Sequence, residues 1–179
     1  GFCGAFYIKF KIKMERDRIM EIVYREEQGL FRLTSGNMEY GIGIVDGRYV
    51  GHVYFGKRIE DDGYGYLLRT GEAPYTPSIS KRETGGFMDT FPFEYPVWGR
   101  GDYRESCLLV RSPEGYRGCE LCYEGYQILE GKPKLPGLPA AFCRESEGKD
   151  GKTLELYCRD ESLGLRAILR YSIFADSQA

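Results

Sequence analysis

From Ile22 onward the chain alternates short apolar stretches with turn residues. Leu30 to Leu33 predicts a short strand, Ser35-Gly36-Asn37 a turn, and Met38 to Val45 the next strand. Asp46-Gly47 is a hairpin signal, and Arg48 to Phe55 predicts the return strand. Tyr64 to Leu68 is weakly strand-like. Ser106 to Ser112 predicts a strand turned by Pro113-Glu114-Gly115, with Gly118 to Ile128 as its partner and an irregularity at Gly125. Thr153 to Arg159 and Leu165 to Phe174 predict a last hairpin through Asp160-Glu161-Ser162-Leu163-Gly164. Leu154, Leu156 and Cys158 fall on one face of its first strand; Ala167, Leu169, Tyr171 and Ile173 fall on one face of its second. No segment predicts a helix longer than about two turns. The fold class expected is all-β, an antiparallel sandwich or a larger stack of two sheets.

Three segments stand outside this rhythm. Residues 1–19 read as an extension, foreign to or upstream of a domain over residues 20–179, with Met20 or Met14 as possible native starts. In it Phe6, Ile8, Phe10 and Ile12 alternate with Tyr7, Lys9, Lys11 and Lys13, which fits an edge strand or nothing ordered. Thr70 to Gly86 is polar, with Pro74, Pro77, Gly71, Gly85 and Gly86; loops of that length inside a compact domain are functional or disordered. Gly131 to Pro139 is an extended, proline-broken connector.

Length and composition narrow the classes. A chain of 179 residues suits one domain able to hold a core without staples. The net charge of −2, from 25 basic and 27 acidic residues, gives no reason to expect nucleic acid or an anionic membrane as partner. No apolar run is long enough to cross a bilayer, and the lysines near the start spoil a secretory leader, so a cytoplasmic location is expected. Free thiols are then favoured over disulfides for Cys3, Cys107, Cys119, Cys122, Cys143 and Cys158. The 15 Tyr, 10 Phe and 24 Gly favour strands and turns. Sugar-handling proteins are also rich in aromatics, though most of these rings are expected simply to fill half-buried sheet faces.

Candidate chemistry is sparse. Asp61-Asp62 before Gly63 read as solvated turn carboxylates, because adjacent strand residues point apart and do not share a proton. Cys119 and Cys122 have metal-ligand spacing, but one pair lacks its partner motif and would face opposite sides of a strand. His52 reads as a strand residue beside Tyr54. No nucleophile elbow, dinucleotide fingerprint or Walker loop occurs, so neither cofactor nor metal is expected. Asp102 and Arg104 read as partners pinning a glycine-rich corner, ahead of sugar recognition. Trp98, the only tryptophan, suits either stacking on a pyranose or filling an interface, with packing favoured.

Several segments occur in an order that carries a resemblance. They are Leu30-Phe31-Arg32-Leu33 with Tyr40, and His52-Val53-Tyr54-Phe55-Gly56-Lys57-Arg58. Glu94-Tyr95-Pro96 follows, with Gly101-Asp102-Tyr103-Arg104, then Gly131-Lys132-Pro133 with Gly137-Leu138-Pro139-Ala140. Last come Thr153-Leu154-Glu155-Leu156 with Asp160, and Leu169-Arg170-Tyr171-Ser172. Together they make residues 22–174 resemble the N-terminal domain of glycoside hydrolase family 36 α-galactosidases. The resemblance implies a galactose-mutarotase-like β-supersandwich of two large antiparallel sheets, followed in the family by a catalytic βα barrel and a small β domain. It implies retaining hydrolysis of terminal α-linked galactose from melibiose- and raffinose-type sugars. That chemistry uses two carboxyl groups about 5–5.5 Å apart. In the family both are barrel aspartates, so no catalytic residue is assigned in this chain, and whether it is an enzyme alone stays open.

The resemblance also implies partners. They are the barrel of the same or a neighbouring polypeptide, further copies in a homo-oligomer, and galactosides. In tetrameric members a loop of this domain reaches the neighbour's active site. Its counterpart is about Arg69 to Gly86, where Glu72 would accept from sugar hydroxyls and Lys81 or Arg82 would donate. Trp98 is the remaining substrate-binding candidate, with Asp102 and Arg104 structural. The alternatives are a stand-alone carbohydrate-binding module, a self-assembling interaction or oligomerisation module, and a zinc-ribbon-like binder.

Overall fold

The computed structural model describes residues 19–60, 63–68, 70, 87–88, 90–99, 105–134, 137 and 151–175. These form two antiparallel sheets and, among the described residues, no α-helix. The first sheet has the order β1 (Met20–Arg25), β2 (Leu30–Ser35), β3 (Met38–Val45), β4 (Tyr49–Lys57). The second has the order β5 (Cys122–Glu130), β6 (Gly151–Asp160), β7 (Leu165–Phe174).

The inner faces follow from period-two alternation. Ile22, Phe31, Leu33, Ile42 and Val50 from the first sheet meet Leu154, Leu156 and Cys158 of β6, with Ala167, Leu169, Tyr171 and Ile173 of β7 packed against them. Asp46, Gly47 and Arg48 connect β3 to β4, with Val45 paired to Tyr49; Asp46 (φ 54°) and Gly47 (φ 62°) take the positive values of a type I′ turn, closed by Arg48 N–H to Val45 C=O at 2.9 Å. In β5 the register slips between Tyr123 and Gly125, the bulge expected there, and β5 pairs with β6.

The back face of the first sheet explains three glycines inside strands. A Cβ on Gly41 would lie 2.8 Å from the Tyr64 ring, one on Gly43 2.5 Å from Leu68, and one on Gly51 2.5 Å from Phe91. These positions form a floor onto which the segments 63–68 and 87–93 settle. Tyr49, Phe87, Met88 and Phe91 close a second small core there.

Two strand expectations are corrected. Gly65–Leu67 is one 3-10 turn where a weak strand was expected, because the Tyr64 side chain turns down onto Gly41 and hydrogen-bonds Glu39. Ser106 to Ser112 makes a single parallel bridge, Leu108 to Val97, and no ladder. The partner expected for it pairs elsewhere, and residues 118–121 precede the strand instead, docking through Cys119 N–H to Trp98 C=O (2.9 Å) and Glu120 N–H to Asp160 Oδ2 (2.7 Å).

Candidate functional site

The expected loop is anchored on both sides by the glycine floor. On its entry side, Tyr64 Oη donates to Glu39, and Leu68 sits over Gly43 and Gly51. On its exit side, Phe87 and Phe91 are buried beside Tyr49. Residues 92–94 then pair antiparallel along the free edge of β4, through His52 N–H to Pro92 C=O (2.7 Å) and Glu94 N–H to Val50 C=O (3.0 Å). Glu72, Lys81 and Arg82 lie outside the described residues, as do Asp61, Asp62, Asp102, Arg104, Cys3, Cys143 and residues 1–18.

That edge pairing turns Glu94 to the inner face. Its side chain is nine-tenths buried. One carboxylate oxygen accepts a short bond from Tyr40 Oη of β3. His52 Nδ1 of β4 lies 3.2 Å from the same hydroxyl and 3.7 Å from the second carboxylate oxygen, which has no hydrogen-bond partner. Tyr171 of β7 stacks on Tyr40 with ring centroids 6.0 Å apart, so the cluster joins the two sheets. Burial raises the Tyr40 phenol first, and the bond to Glu94 raises it further. Tyr171 is raised by burial and then by the charges of Glu94 and Tyr40. Both phenols therefore stay protonated and act as donors or packing faces.

Beside this cluster a groove of about 260 Å³ opens between the sheets. Its walls include Leu33, Met38, Tyr40, Phe55, Tyr171 and Ile173, with the polar Ser35, Glu39 and Ser172 among them. Phe55 is 60% exposed at its mouth, edge-on to Tyr40.

Trp98 is 37% exposed on a segment tied to Cys119 and Leu108. The four described cysteines Cys107, Cys119, Cys122 and Cys158 are free thiols. Cys119 lies ahead of β5 and is buried, and among the described residues no group of three or more His, Cys, Asp and Glu side chains could hold a metal. Among them, too, no helix is long and apolar enough to cross a membrane.

Sequence reasoning gave no chemistry to Tyr40, His52, Glu94 and Tyr171. A signal was present: each lies in one of the segments that carried the resemblance, although their positions are scattered along the chain.

The model of the glycosyl hydrolase family 36 N-terminal domain matches residues 48–179. The chain is similar to alpha-galactosidase AgaA of Geobacillus stearothermophilus, 28% identical over 155 residues, covering 87% of this chain and 21% of that protein. It is 36% identical over 143 residues to probable alpha-galactosidase G of Aspergillus terreus, covering 76% of this chain and 19% of that one. The crystal structure of the alpha-galactosidase from Lactobacillus brevis superposes with a TM-score of 0.74 at 33% identity, over 86% of this chain and 21% of that one. The chain thus spans about a fifth of the length of these relatives. With its two antiparallel sheets and this match, the chain belongs to glycosyl hydrolase family 36, as that family's N-terminal domain.

Proposed function

We propose that the chain works as the N-terminal β-supersandwich of an α-galactosidase acting on terminal α-linked galactose of melibiose- and raffinose-type sugars. It braces a catalytic barrel, shapes the mouth of the active site, and supplies contacts between subunits. The reaction proceeds with retention at two barrel carboxylates, and this chain alone hydrolyses nothing. The segment around Arg69 to Gly86 reaches towards a neighbouring subunit's site, where Glu72 and Arg82 meet sugar hydroxyls. The observation that carries this reading is the family match over residues 48–179 in a chain covering only about a fifth of α-galactosidase relatives. The two-sided anchoring of that segment on the glycine floor supports its part in it.

The test is a chimera in which this chain replaces the matched fifth of Geobacillus AgaA. The chimera is expected to hydrolyse p-nitrophenyl α-galactoside, while the purified chain alone releases nothing. Release by the chain alone, or a chimera that folds without activity, would overturn the reading. In the active chimera Glu72→Ala and Arg82→Ala should raise KM for raffinose; unchanged kinetics would remove both residues from the sugar.

A further inference from the structure

We infer that His52 carries its proton on Nδ1 and that this proton makes it a positioning residue: with Tyr40 and Glu94 it latches residues 92–94 onto β4. Those residues are the exit-side anchor of the segment 69–86. The inference rests on the reading above only for what that segment does.

The tautomer follows from a count of protons. A phenol has one, and Tyr40 gives it to Glu94 Oε1. Burial and the bond to Glu94 both raise the phenol, so that proton stays on Tyr40. His52 Nδ1 lies 3.2 Å from the same phenolic oxygen. It receives nothing from that oxygen, so it must donate to it. A bare Nδ1 would aim its lone pair at Tyr40 Oη and towards the Glu94 oxygen 3.7 Å away, which has no hydrogen-bond partner. Three lone-pair groups would then converge around a carboxylate that is nine-tenths buried, where repulsion is little screened. With Nδ1 protonated, each contact has the favourable sign. Donation runs from His52 to Tyr40 to Glu94, and in the neutral ring Nε2 keeps the lone pair.

The backbone is shaped to make this contact. In a regular strand residues 52 and 55 point to opposite faces. Here the register slips: Gly41 opposes Tyr54 and Ile42 opposes His52, which leaves Val53 without an opposite residue. That bulge turns His52 and Phe55 to the same side of the sheet. Their rings flank Tyr40, with centroids 5.2 and 5.8 Å from it.

His52 thereby grips the 92–94 strap twice. Its backbone N–H donates to Pro92 C=O at 2.7 Å, and its imidazole reaches Glu94 through Tyr40. Between these points Phe93 bridges to Gly51, and Glu94 N–H meets Val50 C=O at 3.0 Å. The backbone bonds tie the strap to β4 alone. The side-chain relay adds β3 through Tyr40 and, by the Tyr171 stack, β7 of the second sheet. Upstream the strap runs into Phe91 and Phe87, which are buried beside Tyr49.

The two amide variants of His52 separate a latch from a space-filling ring. Asparagine places an N–H near the position of Nδ1–H, whereas glutamine places it near Nε2. His52 is the only histidine, so ring-nitrogen NMR of the purified chain reads a single imidazole. Recorded where its shifts no longer move with pH, the spectrum should show Nδ1 protonated and Nε2 bare. Hydrogen exchange at the Glu94 amide should be about tenfold faster in Tyr40→Phe and in His52→Gln, and within about twofold of the parent in His52→Asn. Trypsin cleavage after Lys81 or Arg82 should rank the variants in the same order. A parent ring protonated on Nε2 overturns the inference, and this measurement needs no variant to fold. Equal Glu94 exchange in the asparagine and glutamine variants overturns it too. Faster Glu94 exchange with unchanged cleavage overturns the hold on the segment. All of these measurements use this chain alone, so their failure is distinct from that of the domain reading, which the chimera tests.

Discussion

The guanidinium of Arg32 grips both carboxylate oxygens of Glu39, Nε to Oε1 at 2.7 Å and Nη2 to Oε2 at 3.0 Å. The two residues sit on neighbouring strands, on the back face of the first sheet, with Glu39 fully covered. The remaining capacity of that carboxylate is filled by Tyr64 Oη and by the Ile59 N–H at 3.1 Å, while Arg32 also donates to Ile59 C=O at 2.7 Å. A buried charge is tolerated when it is paired and fully hydrogen-bonded, and this one is. Because Ile59 and Tyr64 follow β4, the ion pair fixes the path by which the chain leaves the sheet.

Removing one partner should therefore be severe. Glu39→Gln keeps the shape but removes the buried carboxylate charge that Arg32 grips with two bonds, a loss of about 3–5 kcal/mol. A midpoint lowered by about 10 °C in thermal denaturation is expected. The pair Arg32→Met with Glu39→Leu should recover part of this, since an apolar pair strands no charge. A double variant as unstable as the sum of the singles would show that the pair's mutual bonds carry little.

Acid should weaken the fold through hydrogen-bonded carboxyls: Glu155, lowered first by its bond from Arg170, and the two buried deepest in hydrogen bonds, Glu39 and Asp160. Burial alone would raise Glu39, but bonds from Arg32, Tyr64 and the Ile59 N–H hold it below its ordinary 4.5. Burial opposes the shift at Asp160 as well, and bonds from Ser162 and from the Glu120 and Leu163 N–H groups hold it below 3.8. Each lowered group contributes stability above its unfolded value and loses it as pH falls through the folded one. Thermal midpoints should be steady above pH 4.5 and fall progressively below it. Glu39→Gln and Asp160→Asn should each flatten that fall, and a slope unchanged in both would refute the assignment.

The thiols should separate by reactivity. Burial, then the neighbouring Asp160, pushes Cys119 up to about 12; burial, then Cys122, pushes Cys158 up to about 11. Cys107 is exposed. The reactive species is the thiolate, so in native protein at neutral pH iodoacetamide should modify Cys107 at least about 100-fold faster than Cys119 or Cys158. Peptide mapping measures each site, and urea should abolish the difference. Rapid native labelling of Cys119 would mean that the segment before β5 opens readily.

Local signals foretold the hairpins. Asp46-Gly47 and the alternation in Thr153–Arg159 and Leu165–Phe174 are decided within a few residues, and the Gly125 irregularity likewise. Tyr64 to Leu68 was not legible, because its path depends on Glu39 and on three glycines distant in sequence. Nor was the cluster of Tyr40, His52, Glu94 and Tyr171. Those four meet only after residues 92–94 pair with β4 and the second sheet closes over the first. Pattern along a chain reveals which face a residue takes; it does not reveal which remote residue will stand opposite.

The glycine floor gives the last prediction. Gly51 lies opposite Gly43 in the ladder and bridges to Phe93, and a Cβ there would stand 2.5 Å from Phe91 Cζ and 2.9 Å from Leu68 Cδ1. The Phe91 ring is fully buried and bounded by Tyr49, Phe87 and Phe93, so it has nowhere to retreat. Gly51→Ala should cost about 1–3 kcal/mol by overpacking. Gly47→Ala is the contrast: its Cβ would meet open space, and at φ 62° it should cost only about 1 kcal/mol of backbone strain. The two should also differ in kind. Gly51→Ala lifts the segments that hold both sides of residues 69–86, so limited trypsin digestion under native conditions should cut there faster than in the parent chain. Gly47→Ala should shift the urea midpoint with no change in that cleavage. If both variants leave the cleavage rate at the parent value, Phe91 and Leu68 do not hold the segment, and the glycines serve only to let the strands approach.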